Sequence, residues 1–248
     1  GLVNPRPCEA WERVGGRQAR PGEGKHMFTS DLFLNELSDK EFSLLRDIIF
    51  KESGINLNER KKALMHSRLL RRLRALNIDN YKVYYEYLTD NYQEEIINLI
   101  NCITTNKTDF YREPNHFKFL KEVAFPEFEK RHKNKIRIWS AGCASGEEPY
   151  SIAIALRRVI PAADNWHFTI LATDINPRVL RRATAGVYGE WSFRNAPAWL
   201  KKEHLRRRED GRFEILSEIR KMVSFTYLNL AEDIYPSPLN NTNAMDII

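Results

Sequence analysis

The 248-residue sequence predicts an α/β fold in which a parallel sheet follows a small all-α domain. Residues 136–149 contain an apolar strand, a glycine-bearing turn and the start of a helix. Residues 167–177 repeat this order, with a second strand followed by a helix that starts at Pro177. Strands that alternate with helices favour a parallel sheet with right-handed crossovers. Upstream, residues 28–104 show only the three- and four-residue spacing of amphipathic helices.

Composition places the chain among soluble globular proteins, with 42% hydrophobic and 29% charged residues. No apolar run approaches the roughly 20 residues of a membrane span, and no signal-peptide pattern opens the chain, so we expect a cytoplasmic protein. The formal net charge is +6 and the pI is about 9.2. This charge favours a partner with an acidic surface, which leaves nucleic acid, an anionic membrane face and an acidic protein open.

The cysteines and histidines do not form a metal-binding or disulfide pattern. Cys8, Cys102 and Cys143 are far apart in sequence and lack C-x-x-C spacing, and the six histidines form no H-E-x-x-H motif. We therefore expect neither a structural zinc nor a disulfide framework, and no metal in the functional site. Cys143 is interpreted as a small packed residue rather than a nucleophile.

The N-terminal part divides into a tail and a helical domain. Residues 1–26 mix Pro, Gly and Arg without periodicity, and we interpret them as a tag or a disordered tail. Residues 27–104 are predicted to form an all-α domain. Its first helix is expected from about 39 to 53, between a capping box at Ser38 and Glu41 and a stop at Gly54. A second helix is expected over 58–76, and apolar spacing predicts two more helices before Thr104.

The second predicted helix carries a basic stripe, which we define as Lys61, Arg68, Arg71 and Arg72. A charge run on a helix is most often a solvated face whose long side chains cover apolar surface. The same residues equally suit a docking face for an acidic partner. The sequence leaves both interpretations open.

Residues 105–113 break the helical period with short polar side chains, and we call this segment the joint. We expect it to connect the helical domain to a second domain over 114–248. Pro114 suits the first turn of another helix. The expected buried face of this helix consists of Phe117, Leu120, Ala124 and Phe128.

The second domain is expected to leave its parallel sheet once and then return to it. Residues 190–222 are predicted to form an antiparallel β excursion, with a turn at Asp210-Gly211. Residues 222–230 alternate as a further core strand, and residues 245–248 begin another apolar strand at which the chain ends.

Asp174 closes the second strand at its carboxyl end, beside the glycine-bearing turn after the first strand. Open α/β sheets bind ligands at this place, and a carboxylate there can accept hydrogen bonds from both hydroxyls of a ribose. Two purely structural alternatives remain. The turn after the first strand is a tight strand-to-helix connection with nothing bound, or Asp174 is a helix cap before Pro177.

Glu147 and Glu148 bear on the kind of cofactor that the turn would accept. A pyrophosphate at this helix start would meet two carboxylates, which disfavours NAD or ATP in the usual pose. A nucleoside cofactor without phosphates and with net positive charge fits better, and S-adenosylmethionine is such a molecule. Alternatively, both acids only complement the helix dipole.

Three segments resemble the CheR family of chemoreceptor glutamate O-methyltransferases: residues 105–113, 139–153 and 172–176. The first reads TNKTDFYRE, the second WSAGCASGEEPYSIA and the third ATDIN. The resemblance spans about Ser38 to Ile248. It implies a Rossmann-like class I methyltransferase sheet and the use of S-adenosylmethionine to convert receptor glutamates to methyl esters in chemotaxis or a related sensory pathway.

The resemblance also implies residue roles. The implied cofactor pocket consists of Asn106, Thr108, Arg112, Glu148, Asp174, Asn229 and Leu230. A glutamate carboxylate is already ionised and nucleophilic at neutral pH, so the transfer needs positioning and exclusion of water rather than a general base. Arg112 is expected to be the catalytic residue that orients the carboxylate or the cofactor. A joint arginine paired with Glu113 is the alternative.

For partners, the resemblance implies the glutamate-rich cytoplasmic methylation helices of a membrane chemoreceptor, which would match the basic stripe. We expect a monomer that does not bind nucleic acid. The family pattern continues past residue 248 with a Cys-Arg-Asn stretch, so we expect a chain truncated at its C-terminus, with reduced cofactor binding or catalysis. The short turn at 206–211 leads us not to predict tethering to a receptor peptide.

Two other classes of function stay open on the sequence. A nucleic-acid methyltransferase would share the cofactor site and place the basic helices on phosphates, with steep salt dependence. It usually carries an acceptor motif such as Asn-Pro-Pro-Tyr, which this sequence lacks. A cofactor-binding interaction module without catalytic activity is the second alternative.

Overall fold

The computed structural model describes residues 36–131, 135–159 and 166–248. The predicted tail over 1–26 lies outside these residues. The described part begins with four helices, α1 (Asp39–Ser53), α2 (Lys62–Leu76), α3 (Tyr81–Asp90) and α4 (Tyr92–Ile103), with a short 3₁₀ turn (Glu59–Lys61) before α2. Their buried faces form one core, which includes Phe42, Leu45, Ile49, Met65, Leu69, Leu73, Tyr84, Leu88 and Leu99.

The first helix confirms its sequence signals. The Ser38 hydroxyl accepts from the Glu41 backbone N–H at 3.3 Å, and the Glu41 carboxylate accepts from the Ser38 N–H at 2.9 Å. Gly54 ends the helix with φ +70°. Glycine adopts this conformation at little free-energy cost because it has no Cβ. Helix α2 starts later than predicted, because residues 59–61 take the tighter 3₁₀ form.

The main sheet is parallel, as predicted, with the order β1 (Lys135–Ala141), β2 (His167–Asp174) and β6 (Val223–Tyr227). Ile138 lies opposite Ile170, and Ile170 lies opposite Val223. On the other side of β1, the backbone N–H of Trp139 donates to the Ile247 carbonyl at 2.9 Å, and Ile138 and Ile247 form a parallel bridge. The apolar residues at the end of the chain therefore lie against β1.

Helices connect and cover these strands: α5 (Pro114–Phe119), α6 (Phe125–Lys130), α7 (Glu147–Val159), α8 (Pro177–Ala185) and α10 (Ser217–Arg220). A π-helical segment (Leu120–Ala124) joins α5 to α6. The predicted buried face was only partly correct there. Leu120 is buried, whereas Phe117, Ala124 and Phe128 are half-buried and Phe125 takes the interior position. A π turn has more residues than an α turn, so it rotates the following residues around the helix axis.

The predicted antiparallel excursion is present as a second sheet. Its strands are β3 (Val187–Tyr188), β4 (Leu205–Arg207) and β5 (Phe213–Ile215), in the order β3-β5-β4. A 3₁₀ helix (Glu190–Phe193) and α9 (Trp199–His204) lie between β3 and β4. A third 3₁₀ turn (Pro238–Asn240) follows β6.

The described residues fall in one compact unit, in which the N-terminal helices pack directly on the sheet domain. The Asn229 side chain donates to the Glu52 carbonyl at 2.8 Å. A Cβ at Gly54 would lie 2.8 Å from the Ala231 Cβ, so this approach needs glycine. Asn176 donates to the Thr104 hydroxyl at 2.9 Å. No helix of the described residues has the length and apolar character needed to cross a bilayer.

Candidate functional site

Two adjoining cavities lie at the carboxyl ends of β1 and β2, where open α/β sheets bind ligands. The larger has a volume of 390 Å³ and is lined by the joint, by the turn after β1, by the start of α5 and by Glu148 and Asp174. The smaller has a volume of 160 Å³ and is lined by Ser53, Ile175, Leu228, Asn229 and Leu230. Gly142 and Asp174 line both cavities, so the two together form one extended site.

The turn after β1 provides space rather than hydrogen-bond donors. The N–H groups of Gly142 and Cys143 both donate to the Thr173 carbonyl at 2.8 Å. Gly142 has φ +81°, and a Cβ there would meet no atom within 4 Å. These two amides are therefore not available to a phosphate, and the open face of Gly142 leaves room for a ligand.

Asp174 is the best-oriented carboxylate of the site. It is 8% exposed, its Oδ2 accepts from the Ala144 N–H at 2.8 Å, and its Oδ1 accepts from the Asn176 N–H at 2.8 Å. The cap of α8 is Asn176, whose side-chain oxygen accepts from the N–H of Arg178 at 2.9 Å. Asp174 is thus free of the capping role that was its alternative interpretation, and it faces both cavities.

The two glutamates at the start of α7 point to different places. Glu147 is buried and accepts from the hydroxyls of Ser145 at 2.7 Å and Ser192 at 2.9 Å. Glu148 is exposed, lines the larger cavity and accepts from the Ser140 hydroxyl at 2.7 Å. The expectation that both carboxylates would meet a phosphate was wrong for Glu147, because neighbouring hydroxyls hold it in the interior. One carboxylate at the ligand still opposes a phosphate group.

The joint is fixed to the sheet domain by buried contacts. Phe110 stacks on Phe193 with ring centroids 4.9 Å apart, and its N–H donates to the Ser192 carbonyl at 2.9 Å. Asp109 is 2% exposed and pairs with Arg194, and the Asn195 amide donates to it at 2.8 Å. These contacts hold the joint residues that line the larger cavity in place.

Arg112, Asn106 and Thr108, three of the expected cofactor-binding residues, all line the larger cavity. The Arg112 guanidinium donates to the Lys107 carbonyl at 2.7 Å and lies 3.7 Å from the Glu113 carboxylate. Both proposed roles of Arg112 therefore fit, since the pairing with Glu113 is loose and the side chain is 40% exposed.

Asn229 and Leu230 line the smaller cavity. The Asn229 amide is already used, because it donates to Glu52 and to Glu232 and its oxygen accepts from the Ala231 N–H. Asn229 thus shapes the loop around the cavity, while Leu230, 44% exposed, supplies an open apolar wall beside Ile175.

Cys143 is buried at the cavity, and burial raises the pKa of its thiol above the ordinary value. The thiol is therefore protonated at neutral pH, in agreement with the packed role that the sequence predicted. Among residues 36–131, 135–159 and 166–248, no group of three or more His, Cys, Asp or Glu side chains is placed to hold a metal ion.

Two of the four side chains of the basic stripe make internal contacts. Arg72 forms an ion pair with Glu95, which is 1% exposed. The hydrogen bond from the Arg72 guanidinium to the Glu95 carboxylate raises the pKa of Arg72. Arg68 donates to the Ile103 carbonyl and, at 2.8 Å, to the Thr105 hydroxyl. Arg68 and Arg72 are therefore held by internal contacts, and the docking role of the stripe stays a prediction.

A basic groove of 690 Å³ lies beside the site, and Lys61 is not part of it. Its cations come from α2, the joint and α8, and they are Arg68, Arg71, Arg72, Lys107 and Arg178. Thr105, Asn106 and Lys107 line both this groove and the larger cavity. A ligand in the groove would therefore continue into the candidate cofactor site.

Sequence reasoning missed Asp109, Ser140, Arg194 and Arg178. Asp109 and Arg194 pair across 85 residues, and no local pattern relates them. A signal for Ser140 was present. A polar residue is unusual in an apolar strand, and at the end of the strand it can indicate a ligand site.

Two family models match consecutive parts of the chain. The model described as CheR methyltransferase, SAM binding domain, matches residues 106–248, which hold nearly all of the lining of the two adjoining cavities. The chain belongs to the CheR methyltransferase family. The CheR all-alpha domain matches residues 40–104, which include α1 to α4 except the first residue of α1. The resemblance stated from the sequence motifs is thereby confirmed.

Relatives of this CheR chain are named chemotaxis protein methyltransferases. A chemotaxis protein methyltransferase of Borreliella burgdorferi is 40% identical over 208 residues, which cover 81% of this chain and 73% of the relative. Chemotaxis protein methyltransferase 2 of Pseudomonas aeruginosa is 37% identical, with 78% and 69% covered. The Escherichia coli chemotaxis protein methyltransferase is 34% identical, with 82% and 70% covered.

Replacing Gly142 with alanine is expected to weaken the binding of S-adenosylhomocysteine, the product of the cofactor, by about 10-fold, or about 1.4 kcal/mol. The added methyl group would project into the open space that both cavities share. Calorimetry measures the affinity. Gly211 is a matched control, because it has φ +79° and equally open surroundings but lies in the β4–β5 turn. Equal affinities for both alanine variants would contradict the placement of the ligand at Gly142.

Proposed function

We propose that this CheR chain transfers a methyl group from S-adenosylmethionine to glutamate side-chain carboxylates of a chemoreceptor. The observation that carries the proposal is the Asp174 carboxylate, which two backbone N–H groups orient at the junction of the two cavities. Its remaining acceptor sites are directed to the place where a ribose would present two hydroxyls.

The residues around Asp174 fit the other parts of the cofactor. The amino-acid end of the cofactor carries one carboxylate and one ammonium group. In the larger cavity, the Arg112 guanidinium suits the carboxylate, and the Glu148 carboxylate suits the ammonium group. Ile175 and Leu230 form apolar walls of the smaller cavity, which suits a flat base. We infer that Asn106 and Thr108 complete the polar wall at the joint.

The chemistry requires little from the protein beyond placement. S-adenosylmethionine supplies an electrophilic methyl group on a sulfonium when it is bound. The acceptor glutamate has an ordinary pKa near 4.3, so it is ionised and nucleophilic at neutral pH. The chain must align this carboxylate with the methyl group and exclude water, and the joint is the element that can do both. Arg112 is proposed to orient the acceptor or the cofactor carboxylate.

The basic groove supports an acidic acceptor. Arg71 and Lys107 line it, and among the described residues no carboxylate lies within ion-pair distance of either. Methylation helices rich in glutamate would place further carboxylates near the reacting one, at intervals of one helical turn. We infer that Arg71, Lys107 and Arg178 attract these neighbouring carboxylates, whereas Arg72 mainly stabilises α4.

Replacing Arg71 with glutamate is expected to raise the KM for the receptor about 5- to 10-fold and to leave cofactor affinity unchanged, because charge reversal repels an acidic helix. Steady-state methylation of a receptor cytoplasmic fragment measures this effect. Arg74→Glu is the matched control, since Arg74 is exposed on the same helix but does not line the groove. If both variants have the same KM, the groove does not receive the acceptor.

Labelled S-adenosylmethionine tests the proposal as a whole. We expect label to appear on a receptor cytoplasmic fragment and to be absent from a fragment whose methylation-helix glutamates are replaced by alanine. DNA and RNA offered under the same conditions should remain unlabelled. Labelling of nucleic acid in place of the receptor would contradict the proposal.

A further inference from the structure

Trp191 is the most exposed tryptophan of the described residues, with 77% of its surface accessible. Trp139 is buried, and Trp166 and Trp199 are half-buried. An indole in water leaves a large apolar surface uncovered, and tryptophan is enriched among residues that dominate protein interfaces. The position of Trp191 in the molecule therefore requires an explanation.

The backbone that carries Trp191 is held firmly. It lies in the 3₁₀ helix Glu190–Phe193, in which Ser192 and Phe193 are buried. The Ser192 carbonyl accepts from the Phe110 N–H at 2.9 Å, and the Ser192 hydroxyl donates to Glu147 at 2.9 Å. Phe193 stacks on Phe110. The indole is thus displayed from a fixed support, which lowers the entropy cost of binding a partner.

Trp191 is connected to the cofactor site through Arg194. The Arg194 guanidinium carbon lies 4.8 Å from the centre of the Trp191 ring. The same guanidinium pairs with Asp109 and donates to the Thr108 carbonyl at 3.4 Å. Thr108 and Asp109 line the larger cavity. Trp191 does not itself line the cavity, but Arg194 connects it to the part of the joint that does.

A bound cofactor would leave the joint end of the site to the acceptor. The smaller cavity, with its apolar walls at Ile175 and Leu230, lies at the other end of the site, beside α1 and the loop after β6. A ribose at Asp174 would fill the centre. With the amino-acid end of the cofactor beside Arg112 and Glu148, the space left at the joint end of the larger cavity suits a side chain that enters from outside.

We propose that Trp191 positions the substrate by packing against the acceptor helix next to the reacting glutamate. This inference rests on the proposed function. In a helix, residues three or four positions from the glutamate share its face, so small apolar side chains there can meet the indole. The ring fixes how deeply the helix approaches, and the basic groove on the other side of the joint binds its carboxylates.

A purely structural role predicts different behaviour. Trp191 could serve only to cover the ion pair between Asp109 and Arg194. In that case, removing the ring would expose the pair, disturb the joint and lower both the melting temperature and the affinity for the cofactor product. A substrate contact changes neither property and affects only the interaction with the acceptor.

The test compares Trp191→Ala, Trp191→Phe and Leu239→Ala with the unmodified chain, with a receptor cytoplasmic fragment as methyl acceptor. Leu239 is an exposed apolar control, 97% accessible and outside both cavities. We expect Trp191→Ala to raise the KM for the receptor about 10-fold, and Trp191→Phe to restore part of the loss. The affinity for S-adenosylhomocysteine and the melting temperature should remain unchanged in all three variants.

An unchanged KM in Trp191→Ala would overturn the inference and leave the proposed function intact. A parallel loss of S-adenosylhomocysteine affinity in the Ala and Phe variants would also overturn it, in favour of the structural role. If the unmodified chain does not methylate the receptor, the proposed function itself fails, and the inference fails with it.

Discussion

Replacing Asp174 with alanine is expected to weaken the binding of S-adenosylhomocysteine by about 100-fold or more, because hydrogen bonds to a charged acceptor contribute about 1.5–3 kcal/mol each and a ribose makes two. The substitution also removes the acceptor of the Ala144 and Asn176 N–H groups, which loosens the turn on which the ligand rests. Calorimetry with the purified chain measures the affinity directly.

A double-mutant cycle separates these two causes. S-adenosylhomocysteine and its 2′-deoxy analogue are each titrated into the unmodified chain and into Asp174→Ala. If Asp174 contacts the ribose, the analogue binds the unmodified chain more weakly than S-adenosylhomocysteine does. In Asp174→Ala, the two ligands should bind with nearly the same affinity. Asp79→Ala provides a control, since Asp79 is an exposed carboxylate between α2 and α3. Affinities in Asp174→Ala equal to those of the unmodified chain would remove Asp174 from the ribose site.

Replacing Glu95 with alanine is expected to lower the free energy of unfolding by about 3–5 kcal/mol, the usual cost of breaking a buried ion pair by removing one partner. Glu95 is 1% exposed and accepts from Arg72, from the Tyr84 hydroxyl at 2.9 Å and from Asn98 at 3.3 Å. Without it, three buried or half-buried donors lose their acceptor, and the contact between α2 and α4 weakens.

Denaturant unfolding measures this loss, and Glu94→Ala is a matched control. Glu94 is the preceding residue of α4, and it is exposed. The control should unfold within about 0.5 kcal/mol of the unmodified chain, as surface substitutions generally do. A Glu95→Ala protein as stable as the control would show that the Arg72–Glu95 pair is not structural. In that case, charge reversal at Arg72 would test receptor docking without unfolding the protein. If the pair is structural, charge reversal at Arg71 is the better test of docking.

The elements that were predicted well depend on short-range signals. The capping box at Ser38 and the stop at Gly54 define α1 within a few residues, and the strand-turn-helix over 136–149 is equally local. The location of Asp174 was predicted correctly, because a residue at the end of a parallel strand lies at the carboxyl edge of the sheet.

The features that the sequence did not predict depend on contacts between distant residues. The direction of Glu147 is decided by Ser192, 45 residues away, and the role of Arg72 is decided by Glu95 on another helix. A charge run on a helix does not reveal which of its members meet a buried partner. The π segment after α5 likewise changes the buried face without a sequence signal that we identified.

The central claim is that the product is a glutamate methyl ester, and its chemical lability tests this most directly. A receptor cytoplasmic fragment is labelled with methyl-labelled S-adenosylmethionine, separated from the cofactor and exposed to mild base. Carboxyl esters hydrolyse under these conditions, whereas methyl groups on nitrogen or on nucleic-acid bases do not. The account predicts release of the label as methanol. Label that stays on the acceptor would contradict it.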